Sequence, residues 1–287
     1  MNDNKYISRR ESIKRICTVA GMMAVSPSLI HFCHLLANPA GNFSLSADHF
    51  SADSIHCDRF FINRIHEVLK ADKYPQLPKE PNKRRYEIYS LVVDNKLLHK
   101  ASILLNVKDD LFSIEHYRSG ATPDKHGQFT FIEQKVRPDI WYSPINWSYQ
   151  SYLAKTANDT PYGIPLEGKG IYNGKDIITI TEGSMVRNYH SSIAVTMKWN
   201  LLYAISDIVR TELPSTFQVI DEYDVLTGER ILQPFSRNTI ETDGKTINLQ
   251  AYVMTGQGVL PTFYWLNEAG MLLFVNSGSE VYVVYSL

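Results

Sequence analysis

The chain has 287 residues, 44% of them hydrophobic, with 29 lysines and arginines against 30 aspartates and glutamates and a formal net charge of −1. That apolar fraction over that length supports one substantial buried core. Without a basic excess or a basic stripe, a nucleic-acid partner loses its main electrostatic driving force.

At the N-terminus, Ser8-Arg9-Arg10-Glu11-Ser12-Ile13-Lys14 precedes a weakly apolar stretch from Ile16 to Leu36. Residues 1–40 resemble a bacterial twin-arginine export signal, whose pattern is Ser-Arg-Arg-x-Phe-Leu-Lys. Ser8, Arg9, Arg10 and Lys14 match it, Ile13 stands for the leucine and Ser12 for the aromatic residue. The resemblance implies the twin-arginine export machinery as a partner and a periplasmic or secreted location. The apolar stretch is interrupted by Ser26-Pro27-Ser28 and carries His31 and His34. It therefore falls short of the roughly 20 uninterrupted apolar residues of a membrane anchor, and no stable span is expected after processing. Cleavage is expected between Ala37 and Ala40. It leaves 24 basic and 28 acidic residues, a mildly acidic mature chain, and of the three cysteines only Cys57, so no intramolecular disulfide.

Residues 41–83 form an N-terminal helix and a linker. Ile55, Ile62, Ile65 and Leu69 recur at spacings of three and four, which predicts an amphipathic helix over Ser54–Ala71 with Asp53 or Ser54 as its cap. Pro75, Pro78 and Pro81 cannot continue it. From residue 84 to 287 the pattern becomes short β-rich runs separated by turn signals, among them Asp94-Asn95, Asp109-Asp110, Asn173-Gly174, Thr227-Gly228 and Asp243-Gly244. Most connections are too short for a helical crossover, so neighbouring strands should pair antiparallel. Two segments read as helix: Ile193–Val209, and Ile140–Ala154, where strand competes. The fold class expected is mainly β, a large curved antiparallel sheet or half-open barrel with helices packed on its concave side or closing one end.

Tyr252-Val253-Met254-Thr255-Gly256, Phe263-Tyr264-Trp265-Leu266-Asn267-Glu268-Ala269-Gly270, Trp199-Asn200-Leu201-Leu202 and Asp224-Val225-Leu226-Thr227-Gly228 resemble segments of an uncharacterised family of exported bacterial proteins. More distantly, the pattern is similar to periplasmic lipoprotein-carrier proteins, whose half-open β-barrel holds acyl chains. The resemblance implies a fold and no catalytic residue.

Catalytic and metal signatures are weak. His49, His56, Cys57 and His66 lack any standard ligand spacing, Glu182-Gly183-Ser184-Met185-Val186 lacks the second glycine of a nucleophile elbow, and no cofactor motif appears. Ser184 and His190 would make a nucleophile and base only if both faced one cavity. The aromatic run is more informative: Trp141, Tyr142, Trp147 and Tyr162, with Trp199 and Leu202 as an opposite wall, are expected to face a hydrophobic or amphipathic ligand, such as a lipid, at the mouth of the sheet. The competing readings are the same aromatics as ordinary core, a hydrolase acting on an envelope molecule, and a structural or interaction protein of the envelope.

Overall fold

The computed structural model describes residues 53–287 except 81, 92–96, 121–125, 158, 212, 222, 243, 257–258 and 286–287. The export segment 1–40, its cleavage region, His49 and the turn at Asp94-Asn95 lie outside the described residues. The chain divides into two compact units, Met1–Cys57 and Asp58–Leu287, and the second holds the sheet.

Helix α1, Asp53–Lys70, follows the expected periodicity, and its Phe61, Ile62, Ile65, Val68 and Leu69 are buried. Fifteen strands follow: β1 Lys83–Leu91, β2 Leu97–Lys108, β3 Leu111–Arg118, β4 Gly127–Val136, β5 Pro144–Ala154, β6 Tyr162–Tyr172, β7 Ile177–Glu182, β8 Met185–His190, β9 Ala194–Met197, β10 Ser215–Asp221, β11 Val225–Thr242, β12 Lys245–Gly256, β13 Thr262–Asn267, β14 Leu272–Ser277 and β15 Glu280–Tyr285. Helix α2, Leu201–Ile208, stands between β9 and β10. The strands form one sheet in the order β8-β7-β6-β5-β4-β3-β2-β1-β15-β14-β13-β12-β11-β10-β9. All neighbours are antiparallel except β9 and β10, which are parallel.

Chain order forces this sheet to roll up. Its two edges, β8 and β9, are consecutive in sequence and joined only by Ser191, Ser192 and Ile193. At about 3.5 Å per residue such a link spans no more than roughly 14 Å. Side chains stitch the seam: Arg187 of β8 donates to the Asp224 carboxylate at 2.6 Å, and the Tyr189 hydroxyl donates to the Asp224 carbonyl at 3.1 Å. No backbone ladder joins β8 to β9 among the described residues, so the sheet stays open.

Register identifies the inner face. Tyr86 lies opposite Ile103, Ile103 opposite His116, and His116 opposite Thr130. Four residues along the strands, Phe112, Gln134, Trp147 and Gly170 share this face. Over it, residues from distant strands meet. The Trp147 indole N–H donates to the Tyr223 carbonyl at 3.0 Å, and the Gln134 side chain exchanges hydrogen bonds with Asn200. Helix α2 lies on this face, where its Leu202 carbonyl accepts from the Tyr86 hydroxyl at 2.9 Å. Helix α1 covers the other face, with the Phe61 ring tilted against Phe263 at 4.1 Å, because Phe263 shares the face of Val253 and Asn276 and alternates with Tyr264. The expectation of helices on one side of the sheet is therefore corrected: the two helices pack on opposite faces. This explains why β13, β14 and β15 are buried on both faces and read as near-continuous apolar runs.

Three further expectations change. Ile140–Ala154 is a turn followed by β5, whose burial alternates so that Trp147, Tyr149 and Ser151 point inward, a period of two that decides for strand. Ile193–Val209 is divided. Ala194–Met197 pairs with β10, and the helix starts only after Asn200, whose side chain bonds Gln134 and the Tyr142 carbonyl and so caps nothing. Thr160-Pro161-Tyr162-Gly163-Ile164-Pro165, a Pro/Gly-rich run that reads as a loop in sequence, instead enters β6 at Tyr162, with a register shift between Ser151 and Leu153 where Gly163 and Pro165 leave the ladder.

Candidate functional site

The interior is mostly apolar near the Phe112 end, where Arg84 donates to the Leu202 carbonyl at 3.1 Å, and gathers more charged groups at the other end. Near the Phe112 end, helix α2 closes the roll: Leu201, Leu202, Ala204, Ile205 and Ile208 are buried, and Phe112, Tyr142 and Tyr203 pack ring on ring at 5.3 to 5.5 Å. Trp147 and Trp199 form the next layer. Both indoles converge on Tyr223, Trp147 through its carbonyl and Trp199 through its hydroxyl at 2.9 Å. Trp147 lies flat against Gly170, where a Cβ would sit 1.9 Å from the indole, and Tyr149 covers Gly168 in the same way. The missing side chains let two large rings lie along the sheet instead of standing across the interior.

The opposite end, where the hairpin turns 183–184 and 278–279 lie, is polar. Here the inner face carries His116, Lys198, Asp221, Arg230, Tyr264, Tyr282 and Glu280. Lys198 pairs with Asp221 at 2.8 Å and sits over the Trp199 ring at 5.1 Å. His116 packs on Trp199 at 5.2 Å, and burial, reinforced by the positive charges of Arg118 and Lys198, pushes its imidazole down to about 4. It is therefore neutral at physiological pH. Tyr264 and Tyr282 are held above the usual phenol range, chiefly by burial and, for Tyr282, by Glu280 beside it. Both remain protonated donors.

Arg230 differs from its neighbours. It is 5% exposed, and its Nη1 finds no acceptor. Its guanidinium lies against Gly256, where a Cβ would come within 2.6 Å of Nη1. Burial lowers its affinity for a proton, opposed by Asp221 and Tyr264, yet a guanidinium starts so high that it keeps its charge. The nearby Tyr264 hydroxyl is underused as well, since its acceptor is the Met254 thioether at 3.9 Å, a weak one.

The structure brings five of the six sequence-selected residues into the closed part of the roll. Trp147, Trp199 and Leu202 are buried and hydrogen-bonded as described. Tyr142 donates to Asp207 at 3.0 Å, and the Trp141 carbonyl accepts from Thr196 at 2.7 Å while its ring packs on Phe217. Tyr162 stands apart, 67% exposed and stacked on His126 at 5.2 Å. Ser184 and His190 sit at opposite ends of β8, about 20 Å apart at the rise of a strand, so they share no cavity. A carboxylate–imidazole pair, Glu87 with His99, lies on the outer face beside Arg85, and the neighbouring Ser119 hydroxyl is committed to backbone carbonyls.

Sequence reasoning missed the charged end of the roll, because its members are spread over more than one hundred residues with no common spacing. A signal existed in the strand period: Arg230 is two residues from Leu232, and His116 is two and four from Ile114 and Phe112, so each polar residue stands at an inward position.

No protein-family model matches the chain, and no curated protein matches it. Among solved structures the chain is similar to the crystal structure of a beta-barrel-like protein of Domain of Unknown Function DUF1849 from Brucella abortus, with 6% sequence identity over 74% of this chain and 96% of that chain, and a TM-score of 0.46.

Proposed function

We propose that this chain is an exported envelope protein without catalytic chemistry of its own, which binds an amphipathic ligand at the charged mouth of its rolled sheet. The observation that supports this reading is the graded interior. An aromatic floor of Trp147, Trp199 and Tyr223, backed by helix α2, faces a rim of charged and phenolic groups, and one nitrogen of a buried arginine there, Arg230 Nη1, has no acceptor. Ligand sites combine mostly apolar walls with a few convergent polar groups. The reading moves the ligand from the interior of the roll, where the large side chains are core, to its mouth. Export rests on the twin-arginine pattern of residues 8–14, and the helices matter to the proposal only in that α2 supplies the floor. No helix among the described residues is long and apolar enough to cross a membrane.

The test is extraction of the full chain purified from a bacterial envelope with organic solvent, followed by mass spectrometry and compared with an extract of the same protein after denaturation and refolding. A stoichiometric amphiphile in the first extract and not the second is expected. An empty extract, together with retention of the protein in the cytoplasmic fraction, would overturn the reading.

A further inference from the structure

We propose that Arg230 and Tyr264 form a receptor for a single oxyanion, a carboxylate or a phosphate, so that the ligand is an amphiphile with an anionic head; this rests on the mouth-binding reading above. The argument is one of unspent hydrogen-bonding capacity. A guanidinium carries five N–H donors and no acceptor. Desolvating one of those donors without a partner is costly, and buried polar groups are almost always bonded, so an orphan needs a physical reason. Arg230 Nη1 is such an orphan, on a side chain only 5% exposed. Its nearest counter-charge, Asp221, acts on it through space but pairs directly with Lys198 at 2.8 Å, so it does not fill the Nη1 position.

The second donor stands on the same face. Arg230 is opposite Gly256, and Tyr252, two positions inward of Met254, is opposite Tyr264, so Arg230, Met254 and Tyr264 all look inward from β11, β12 and β13. A hydroxyl bonded to a thioether at 3.9 Å loses little when it turns to an oxyanion. Between this pair and the aromatic floor stand Lys198 and Asp221, whose side chains are about one-third exposed. Gly256 completes the arrangement, because any larger residue would occupy the space in which the guanidinium lies. An arginine fork with an adjacent phenol matches the geometry of a carboxylate or phosphate, and charge-assisted bonds are the stronger kind.

The experiment is calorimetric titration of the full chain with decanoate, decyl phosphate and decanol below their aggregation concentrations, alongside Arg230→Gln and Tyr264→Phe, with inorganic phosphate in a thermal-shift arm. At least one anion is expected to bind about tenfold or more tightly than decanol, and both variants are expected to weaken that anion about tenfold and so to remove most of its margin over decanol. The tighter anion names the head group. Decanol binding as tightly as the anions in the unaltered protein would overturn the oxyanion receptor and leave the mouth-binding reading standing, with no variant needed. Anion binding indifferent to Tyr264→Phe, which gives up only a sulfur contact and so keeps the fold, would overturn it equally. Stabilisation by inorganic phosphate that Tyr264→Phe abolishes, with no amphiphile bound, would uphold the receptor and refute the amphipathic ligand. Silence from every probe would refute both.

Discussion

Replacing Gly170 with alanine should damage the floor of the mouth by pressing a methyl group into the Trp147 ring. The new methyl would lie 1.9 Å from Trp147 Cζ2 and 2.2 and 2.4 Å from two further indole carbons, far inside contact distance. The ring cannot retreat easily, since Trp147 is 3% exposed and tied through its N–H to the Tyr223 carbonyl. Overpacking of this kind costs about 1–3 kcal/mol, and loss of the indole hydrogen bond adds about 1 kcal/mol. The sum, about 2–4 kcal/mol, corresponds to a fall in Tm of roughly 4–16 °C for a unit of this size. Urea unfolding followed by tryptophan fluorescence measures it. Gly228→Ala is the matched control, because nothing lies within 4 Å of its added Cβ and it should stay within about 0.5 kcal/mol of the parent. The double variant Trp147→Leu, Gly170→Ala should be less destabilised than the two single changes summed, by about 1 kcal/mol or more, since the methyl then occupies space the indole has left. If Gly170→Ala melts with the parent protein, the indole does not lie on that glycine and the account of the floor is wrong.

Protonation gives a second check. His116 titrates near 4 in the folded chain against about 6.5 unfolded, so below pH 6.5 the unfolded state takes up a proton that the folded state refuses. Stability should be fully present above about pH 6.5 and decline by up to roughly 3 kcal/mol as pH falls toward 4. His116→Gln should flatten that slope in denaturation measured across pH, and an NMR midpoint for His116 near 6.5 would contradict the burial argument. The buried amide pair Gln134 and Asn200 should behave as a unit: Asn200→Leu strands Gln134 and leaves the Tyr142 carbonyl without its donor, costing about 2–4 kcal/mol. Adding Gln134→Leu should recover part of that loss in equilibrium unfolding, and a purely additive pair would show the two amides to be independent.

Much of the sheet was legible because strand period and turn chemistry are local. Alternating burial in β4 and β5 follows directly from residues such as Ile132, Val136 and Trp147, and the Asn173-Gly174 turn leaves Gly174 at φ 81, as a tight hairpin requires. The helix over Ile193–Val209 misled because Val195, Trp199, Leu202 and Ile205 fit a helical stripe, while pairing of Ala194–Met197 with β10 is a tertiary event that no local window contains. The placement of α1 and α2 on opposite faces was equally hidden, since an apolar stripe says that a face is buried and not against which side of a sheet. For the site, aromatic composition located the floor, Trp147 and Trp199 with Leu202 of α2 behind them. Arg230 and Tyr264 escaped notice because the proposed receptor is assembled by register across β11, β12 and β13.

Fifteen strands closed into a round barrel would enclose an aqueous channel, whereas this roll is filled by its own rings and by α2. Filling at that strand number requires the sheet to fold in on itself at the seam, and one turn holds both. Asp224 takes Arg187 and Tyr189 from β8, and the preceding residue, Tyr223, takes the two indoles of the floor. Tyr223 adopts φ 69, a left-handed conformation that costs a non-glycine residue energy and persists only where its surroundings hold it. The seam and the floor are thus mechanically one element. Arg187→Ala should leave the chain folded, since the other ladders are untouched, yet speed amide exchange in β8 and shift the tryptophan emission, because the turn that positions Trp147 and Trp199 loses its tie to the facing edge. Faster exchange in β8 with unchanged emission would show that the seam opens independently of the floor, and unchanged exchange would show that Arg187 does not hold the seam at all.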